Sequence, residues 1–254
     1  MKEGFNMITT ILNNKGGVAK TTTTLSLGHA FTLLGKTVLI VDLDRQMNAS
    51  FTLGATPDDK TIYDALLGKC SLKECLKKHP DIESLYYIPS GNTDIELELN
   101  SKIRREEKLR TLLSGTKEVF DIVLIDCPPS LGILSVNAMA AADNIIIPLQ
   151  MEAFAYLGTG EIISTFNEIK KELNPNLEIM GYLRTLYDPR LKQTQEFEKL
   201  LFDKAGADKI FKTVIRKNVA LAECNIYRQT IFQYNPEAQG AENYMALAKE
   251  ILKI

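Results

Sequence analysis

Two lysines five residues apart flank a pair of glycines in Asn13-Asn14-Lys15-Gly16-Gly17-Val18-Ala19-Lys20-Thr21-Thr22. Small residues at the start of a helix let main-chain N–H groups converge on an anion, and the helix N-terminus adds partial positive charge. The amides from Gly16 to Thr22 are therefore expected to face β- and γ-phosphates. Lys20 adds a point charge, and the Thr21 hydroxyl can hold Mg²⁺. Gly-Gly alone would read as a turn; the whole string, between a strand and a helix, reads as a phosphate loop.

Acids at strand ends complete the chemistry. Val38-Leu39-Ile40-Val41-Asp42-Leu43-Asp44 places two carboxylates at i and i+2 beyond an apolar run. Asp42, nearer the strand, is expected in the Mg²⁺ shell; Asp44 is expected where a hydrolytic water would stand. Taken alone, such a pair is more simply a solvated strand end. Ile122–Asp126 is a second apolar run ending in an acid, and Asp126 is expected to bind Mg²⁺ through water. Cys127 follows it with no basic partner in view, so it reads as a neighbour of the site and not a nucleophile.

These groups need a scaffold that delivers strand ends to one place. Runs such as VLIVD and IVLID are apolar throughout, as strands buried on both faces are. Strands are expected near Ile8–Asn13, Val38–Asp42, Leu85–Ile88, Ile122–Asp126, Ile145–Pro148 and Leu177–Leu183. Helices are expected at Thr21–Leu34, Thr61–Leu67 (with Thr61 and Asp64 as a capping box), Ile95–Leu113, Glu161–Leu173, Gln195–Lys204 and Glu242–Leu252. The alternation predicts an α/β fold, a doubly wound, mostly parallel sheet flanked by helices, with ligands at the carboxyl ends of the strands.

Length and composition agree with one domain. The 254 residues are 45% hydrophobic and 24% charged, with formal net charge −2. Residues 1–6 read as a short polar tail, with Met7 an alternative start, and 7–254 as a single domain. The four cysteines, Cys70, Cys75, Cys127 and Cys224, form no C-x-x-C pair, and two histidines are too few for a typical zinc site. A reduced, cytoplasmic protein is the simplest expectation. No signal-peptide pattern and no run of 18 apolar residues is present, so no membrane association is expected.

The plain phosphate-loop pattern G-x-x-x-x-G-K-[ST] fails here, because its glycines would fall on Asn14 and Ala19. The string instead resembles the deviant Walker A form, x-K-G-G-x-x-K-[ST], of the ParA/MinD family of P-loop ATPases. Val38–Ser50 resembles that family's V-D-x-D-P-Q-x-N signature, with Arg45 in place of proline. Arg184–Arg190 (RTLYDPR), Thr213–Cys224 (TVIRKNVALAEC) and Tyr234–Tyr244 (YNPEAQGAENY) resemble segments of the ParA/Soj branch, so the likeness runs over nearly the whole chain. The terminal segment lacks the basic amphipathic character of a MinD-like membrane helix, and the cysteines do not suit an iron–sulfur branch. With so short a stretch before the first strand, no helix-turn-helix region is expected ahead of the phosphate loop.

The resemblance implies a P-loop NTPase that binds ATP or ADP with Mg²⁺ and hydrolyses ATP. It implies that Lys15 reaches across a homodimer to the partner's nucleotide, that Lys20 grips the phosphates and that Asp44 positions the attacking water. Arg216 and Asn218 fall in the loop that contacts adenine in this branch. Arg216 replaces a proline, which favours Asn218. Ala19 stands where glycine is commoner, so either its φ is negative or the loop fits phosphate less closely.

The branch also implies nucleoid association through non-specific DNA. Between Tyr182 and Arg228 there are ten basic and six acidic residues, against net −2 for the chain. Arg190, Lys217 and Arg228 are the candidate DNA contacts, although a mixed surface is the plainer reading of the charge alone. The implied partner is a ParB/Spo0J-like protein that stimulates slow hydrolysis to drive plasmid or chromosome partitioning. A positioning ATPase for another cargo, or a regulator that does not hydrolyse ATP, are the alternatives.

Overall fold

The computed structural model describes residues 6–151 and 155–254, so residues 1–5 of the tail expected over 1–6 lie outside the described residues. Among the described residues, eight strands form one sheet in the order β3-β4-β2-β5-β1-β6-β7-β8. They are β1 Met7–Ile11, β2 Val38–Asp42, β3 Lys77–Lys78, β4 Leu85–Ile88, β5 Ile122–Asp126, β6 Asn144–Gln150, β7 Glu178–Tyr187 and β8 Ile210–Arg216. All neighbours run parallel except the short edge pair β3–β4.

The helices are α1 Lys20–Leu33, α2 Asn48–Thr52, α3 Ile62–Leu66, α4 Leu72–Cys75, α5 Glu96–Asn100, α6 Lys108–Leu113 and α7 Ile133–Ala141. They continue with α8 Ala155–Glu172, α9 Lys192–Ala205, α10 Val219–Ile226, α11 Ile231–Tyr234 and α12 Gln239–Leu252. The central strands alternate sides: Leu39, Val41, Val123 and Ile125 enter one core, while Val38, Ile40, Ile122 and Leu124 enter the other. Period-two alternation with both faces covered is why these runs are apolar at every position.

The single helix expected over Ile95–Leu113 is two. A turn and a short 3₁₀ segment, Arg105–Glu107, separate α5 from α6, with Arg104 at φ 52°. Leu99 and Leu109 are both fully buried. Ten residues of continuous helix would set the second about 280° round from the first, which is about 80° off its face. The break returns both to the core. Strands β3 and β8 and helices α2, α4, α7, α10 and α11 have no counterpart among the expected elements.

The chain leaves β1, skips one strand position to form β2 and β4, returns with β5 between β2 and β1, and then crosses to β6 on the far side of β1. That reversal opens a crevice at the carboxyl ends of β1, β2 and β5, where ligands sit in such sheets.

Candidate nucleotide site

The phosphate loop joins β1 to α1 in that crevice. Asn13 fixes its start: its Oδ1 accepts from the Lys15 N–H at 2.8 Å, and its Nδ2 donates to the Pro148 carbonyl at 2.7 Å. Val18 is buried, and its carbonyl accepts from the Thr185 hydroxyl at 3.1 Å. Gly17 and Ala19 both lie in the left-handed region, at φ 76° and 67°. The negative-φ alternative for Ala19 is therefore excluded; the conformation that favours glycine is kept and an alanine bears it.

Lys20 begins α1 and turns back so that its Nζ donates to the Lys15 carbonyl at 2.9 Å, closing the loop on itself. Burial lowers its pKa, while the charge of Asp126 opposes that shift. Helix α1 is buried on nearly every side, between the sheet and α12. The Tyr244 and Thr23 hydroxyls hydrogen-bond at 3.0 Å across that contact.

Strand pairing places the acids. Asp42 and Asp126 are register partners on β2 and β5. Asp126 Oδ2 accepts from the Thr21 hydroxyl at 2.7 Å, and its Oδ1 from the Thr24 hydroxyl at 3.1 Å. Thr24 was not named from sequence; its spacing of three residues from Thr21, on one helix face, was the available signal. Burial, and then the neighbouring Asp42, push the Asp126 carboxyl far above the usual range. A buried carboxyl that resists ionising beside a second acid is a site that favours a cation. Its surroundings offer hydroxyl and carboxylate oxygens, the hard donors that Mg²⁺ prefers.

Asp42 has a further task. Its Oδ2 accepts from both the N–H and the hydroxyl of Ser50 at 2.8 and 2.6 Å, and its Oδ1 from the Asp44 N–H at 2.9 Å. It therefore folds the aspartate loop back on the strand end. Asp44 is nearly buried, accepts from the Gln46 N–H at 3.0 Å and faces the cleft. The Tyr63 hydroxyl holds the Leu43 carbonyl at 2.9 Å from the opposite side. Cys127 is fully buried, and burial pushes its thiol pKa well up, as suits a bystander.

The resulting cleft has a volume of ≈ 850 Å³. Gly16, Gly17 and Ala19 to Thr22 line one end and Asp44 the floor, with Asn218, Leu221 and Asn225 at the other end. Two loop residues of the expected set, Lys15 and Val18, do not line it. Nor does Arg216, a correction to its expected place beside the base. Arg216 is the last residue of β8, where alternation turns Ile215 into the cleft and Arg216 outward. Asn218 lines the cleft and caps α10, its Oδ1 accepting from the Ala220 N–H at 2.8 Å.

The basic residues of 182–228 divide. Lys217 and Arg190 are exposed beyond the carboxyl ends of β8 and β7, and the Arg190 guanidinium donates twice to the Asp188 carboxylate. Arg184 is buried against Glu198 and the Phe211 carbonyl, so it serves the fold. Arg228, expected with Arg190 and Lys217 on a DNA-facing surface, lines the nucleotide cleft instead. Its guanidinium stands 5.8 Å from the centre of the Phe51 ring. Among the described residues, no helix is long and apolar enough to cross a membrane.

A protein-family model described as an AAA domain matches residues 6–179. The chain is 39% identical over 251 residues to the sporulation initiation inhibitor protein Soj of Bacillus subtilis (strain 168), spanning 96% of this chain and 97% of that protein. It is 41% identical over 246 residues to the chromosome-partitioning ATPase Soj of Treponema pallidum (strain Nichols), spanning 95% of each. Among solved structures, cobyrinic acid a,c-diamide synthase from Mycobacterium smegmatis, with bound ATP analog and magnesium, superposes with a TM-score of 0.84. That protein is 32% identical, and the match covers 98% of this chain and 95% of that one.

Proposed function

Because the chain belongs to the Soj/ParA family of partitioning P-loop ATPases, we propose that it is an ATP-dependent dimerisation switch for DNA segregation. In this reading Mg²⁺-ATP fills the cleft, two copies close over it, and the closed dimer binds DNA without regard to sequence. A ParB/Spo0J-like partner then stimulates hydrolysis and releases it. The observation that carries the proposal is the division of labour between the two loop lysines. Lys20 turns into its own cleft, while Lys15, five residues earlier, does not line that cleft. A second copy is where its charge finds a nucleotide.

Thr21 and Asp126 would hold Mg²⁺, Asp126 through water, with Asp42 tying the aspartate loop beside them. The ion would supply charge neutralisation to the phosphates. Amides from Gly16 to Thr22 and the Lys20 ammonium bind and orient the phosphates. Asp44, held by its neighbours at the cleft floor, orients the water and receives its proton. Val18 contributes its amide only, and Asn218 stands at the base end. Arg190 and Lys217 supply phosphate contacts for DNA, and Arg228 stands at the cleft mouth.

Arg228 is the arginine among the residues that line the cleft, and it stands beside Phe51 and not in the phosphate loop; small switches without an arginine at the phosphates turn over at roughly 10⁻⁴ to 10⁻³ per second. A partner that supplies the missing charge can add about 10³- to 10⁵-fold. The test is Lys15→Gln. ATP binding should persist by fluorescence titration, while ATP-driven dimerisation is lost on light scattering. A variant that dimerises with ATP as the parent does would refute the role in trans.

A further inference from the structure

Cys70 precedes the short helix α4 and Cys75 is its last residue, with their sulfurs 3.3 Å apart. Two capping boxes hold the turn. Thr61 and Asp64 cap α3 reciprocally, and Ser71 and Glu74 do the same for α4. The Cys75 thiol also donates to the Thr61 carbonyl at 3.1 Å, which ties α4 to the start of α3. One residue beyond that start is Tyr63 of α3 with Leu43 of the aspartate loop hydrogen-bonded to it, at 2.9 Å between the hydroxyl and the carbonyl. The pair therefore lies behind the aspartate loop and away from the nucleotide cleft.

The two thiols differ in access. Cys70 is half-buried, whereas Cys75 is fully buried. A protein disulfide needs its sulfurs about 2.05 Å apart. The gap here is short enough that side-chain rotation closes it without bringing together distant elements. We infer that Cys70 and Cys75 form a reversible intrachain disulfide site that accepts oxidising equivalents from a low-molecular-weight disulfide of the glutathione type.

The exchange balances in two steps. The accessible Cys70 thiolate attacks one sulfur of the small disulfide, forming a mixed disulfide and releasing one small thiolate. Cys75 gives its proton to solvent and attacks the Cys70 sulfur, releasing the second. Two protein thiols and one small disulfide become one protein disulfide and two small thiols. Burial, and then the hydrogen bond with Cys70, push the Cys75 thiol up to about 12, so the second step is the slower. A mixed disulfide on Cys70 should appear first and then decline.

The sequence offers a clean readout, because Lys69, Lys73 and Lys77 place the two cysteines on separate tryptic peptides, 70–73 and 74–77. The full chain would be held in oxidised glutathione, alkylated with iodoacetamide and digested without reductant. The expected majority species is the two peptides joined, two hydrogens lighter than their sum, and separated by reductant. Cys75→Ser should stop at the glutathione adduct on Cys70, and Cys70→Ser should leave Cys75 unmodified. The inference is overturned if the glutathione adduct on wild-type Cys70 persists and does not give way to the joined peptides. It is equally overturned if both thiols remain open to alkylation, or if Cys70 joins a second copy. The wild-type arm needs no variant, so poor folding of either serine form cannot mask the answer.

Discussion

Ala19→Gly is expected to stabilise the protein, and Gly17→Ala to destabilise it, for one reason seen from two sides. Ala19 sits at φ 67°, ψ 31°, and Gly17 at φ 76°. A residue with a Cβ loses ~1–2 kcal/mol in this left-handed region. Glycine avoids that cost but adds unfolded-chain freedom worth ~0.4–1 kcal/mol. The difference leaves Ala19→Gly more stable by about 0.5–1 kcal/mol, or about 1–4 °C in Tm for a chain of this length. A Cβ built on Gly17 meets nothing within 4 Å, so Gly17→Ala adds no clash, and the same torsional cost less the same gain in unfolded-chain entropy leaves it less stable by about 0.5–1 kcal/mol. Urea unfolding without nucleotide measures both, and the m value should not change. If Ala19→Gly lowers the midpoint, or both variants move it in one direction, left-handed strain is not what governs this loop.

Further expectations follow from the same site. Lys20→Ala should abolish ATP binding by calorimetry; retained affinity would contradict its place at the phosphates. Asp44→Ala should leave binding intact but trap an ATP dimer on sizing chromatography, and a monomer there would count against its role toward water. Asp126 gives a pH signature. Its folded pKa is raised from 3.8 to about 8, by burial first and Asp42 second. A group raised in this way lends its stability in full below the unfolded value and loses it as pH climbs through the folded one. Asp126→Asn should therefore gain on the parent between pH 5 and pH 8 in metal-free urea unfolding while losing Mg²⁺-dependent hydrolysis; a gain that does not change with pH would remove the buried acid from the account. Retention of the ATP form on DNA should fall steeply with added salt, and a flat response would refute phosphate contacts.

Local order was legible wherever one run of residues decided it. VLIVD and IVLID became β2 and β5 with the bounds expected of them, Leu85–Ile88 became β4, and Thr61 capped α3 through Asp64 as read. The glycine pair, Lys20 and the acids at strand ends likewise fall at the crevice, because a phosphate loop is built from its own main chain. Helix α6 was legible only in part. Its apolar spacing looked helical through residue 113, yet the break near Arg104 is imposed by the core that Leu99 and Leu109 must share.

Tertiary structure decided what no spacing along the chain encodes. Pairing of β2 with β5 sets Asp42 against Asp126 and so creates the buried acid pair in which the Asp126 carboxyl resists ionising. The Thr24 hydroxyl meets that carboxyl only because α1 packs along the crevice. The pleat of β8 sends Arg216 outward, and the end of α10 carries Arg228 to the cleft. Residue type and spacing fix the short-range hydrogen bonds and dihedrals that make a loop or a strand. Which side chains then meet depends on register and packing between segments a hundred residues apart, and those are set by the common core.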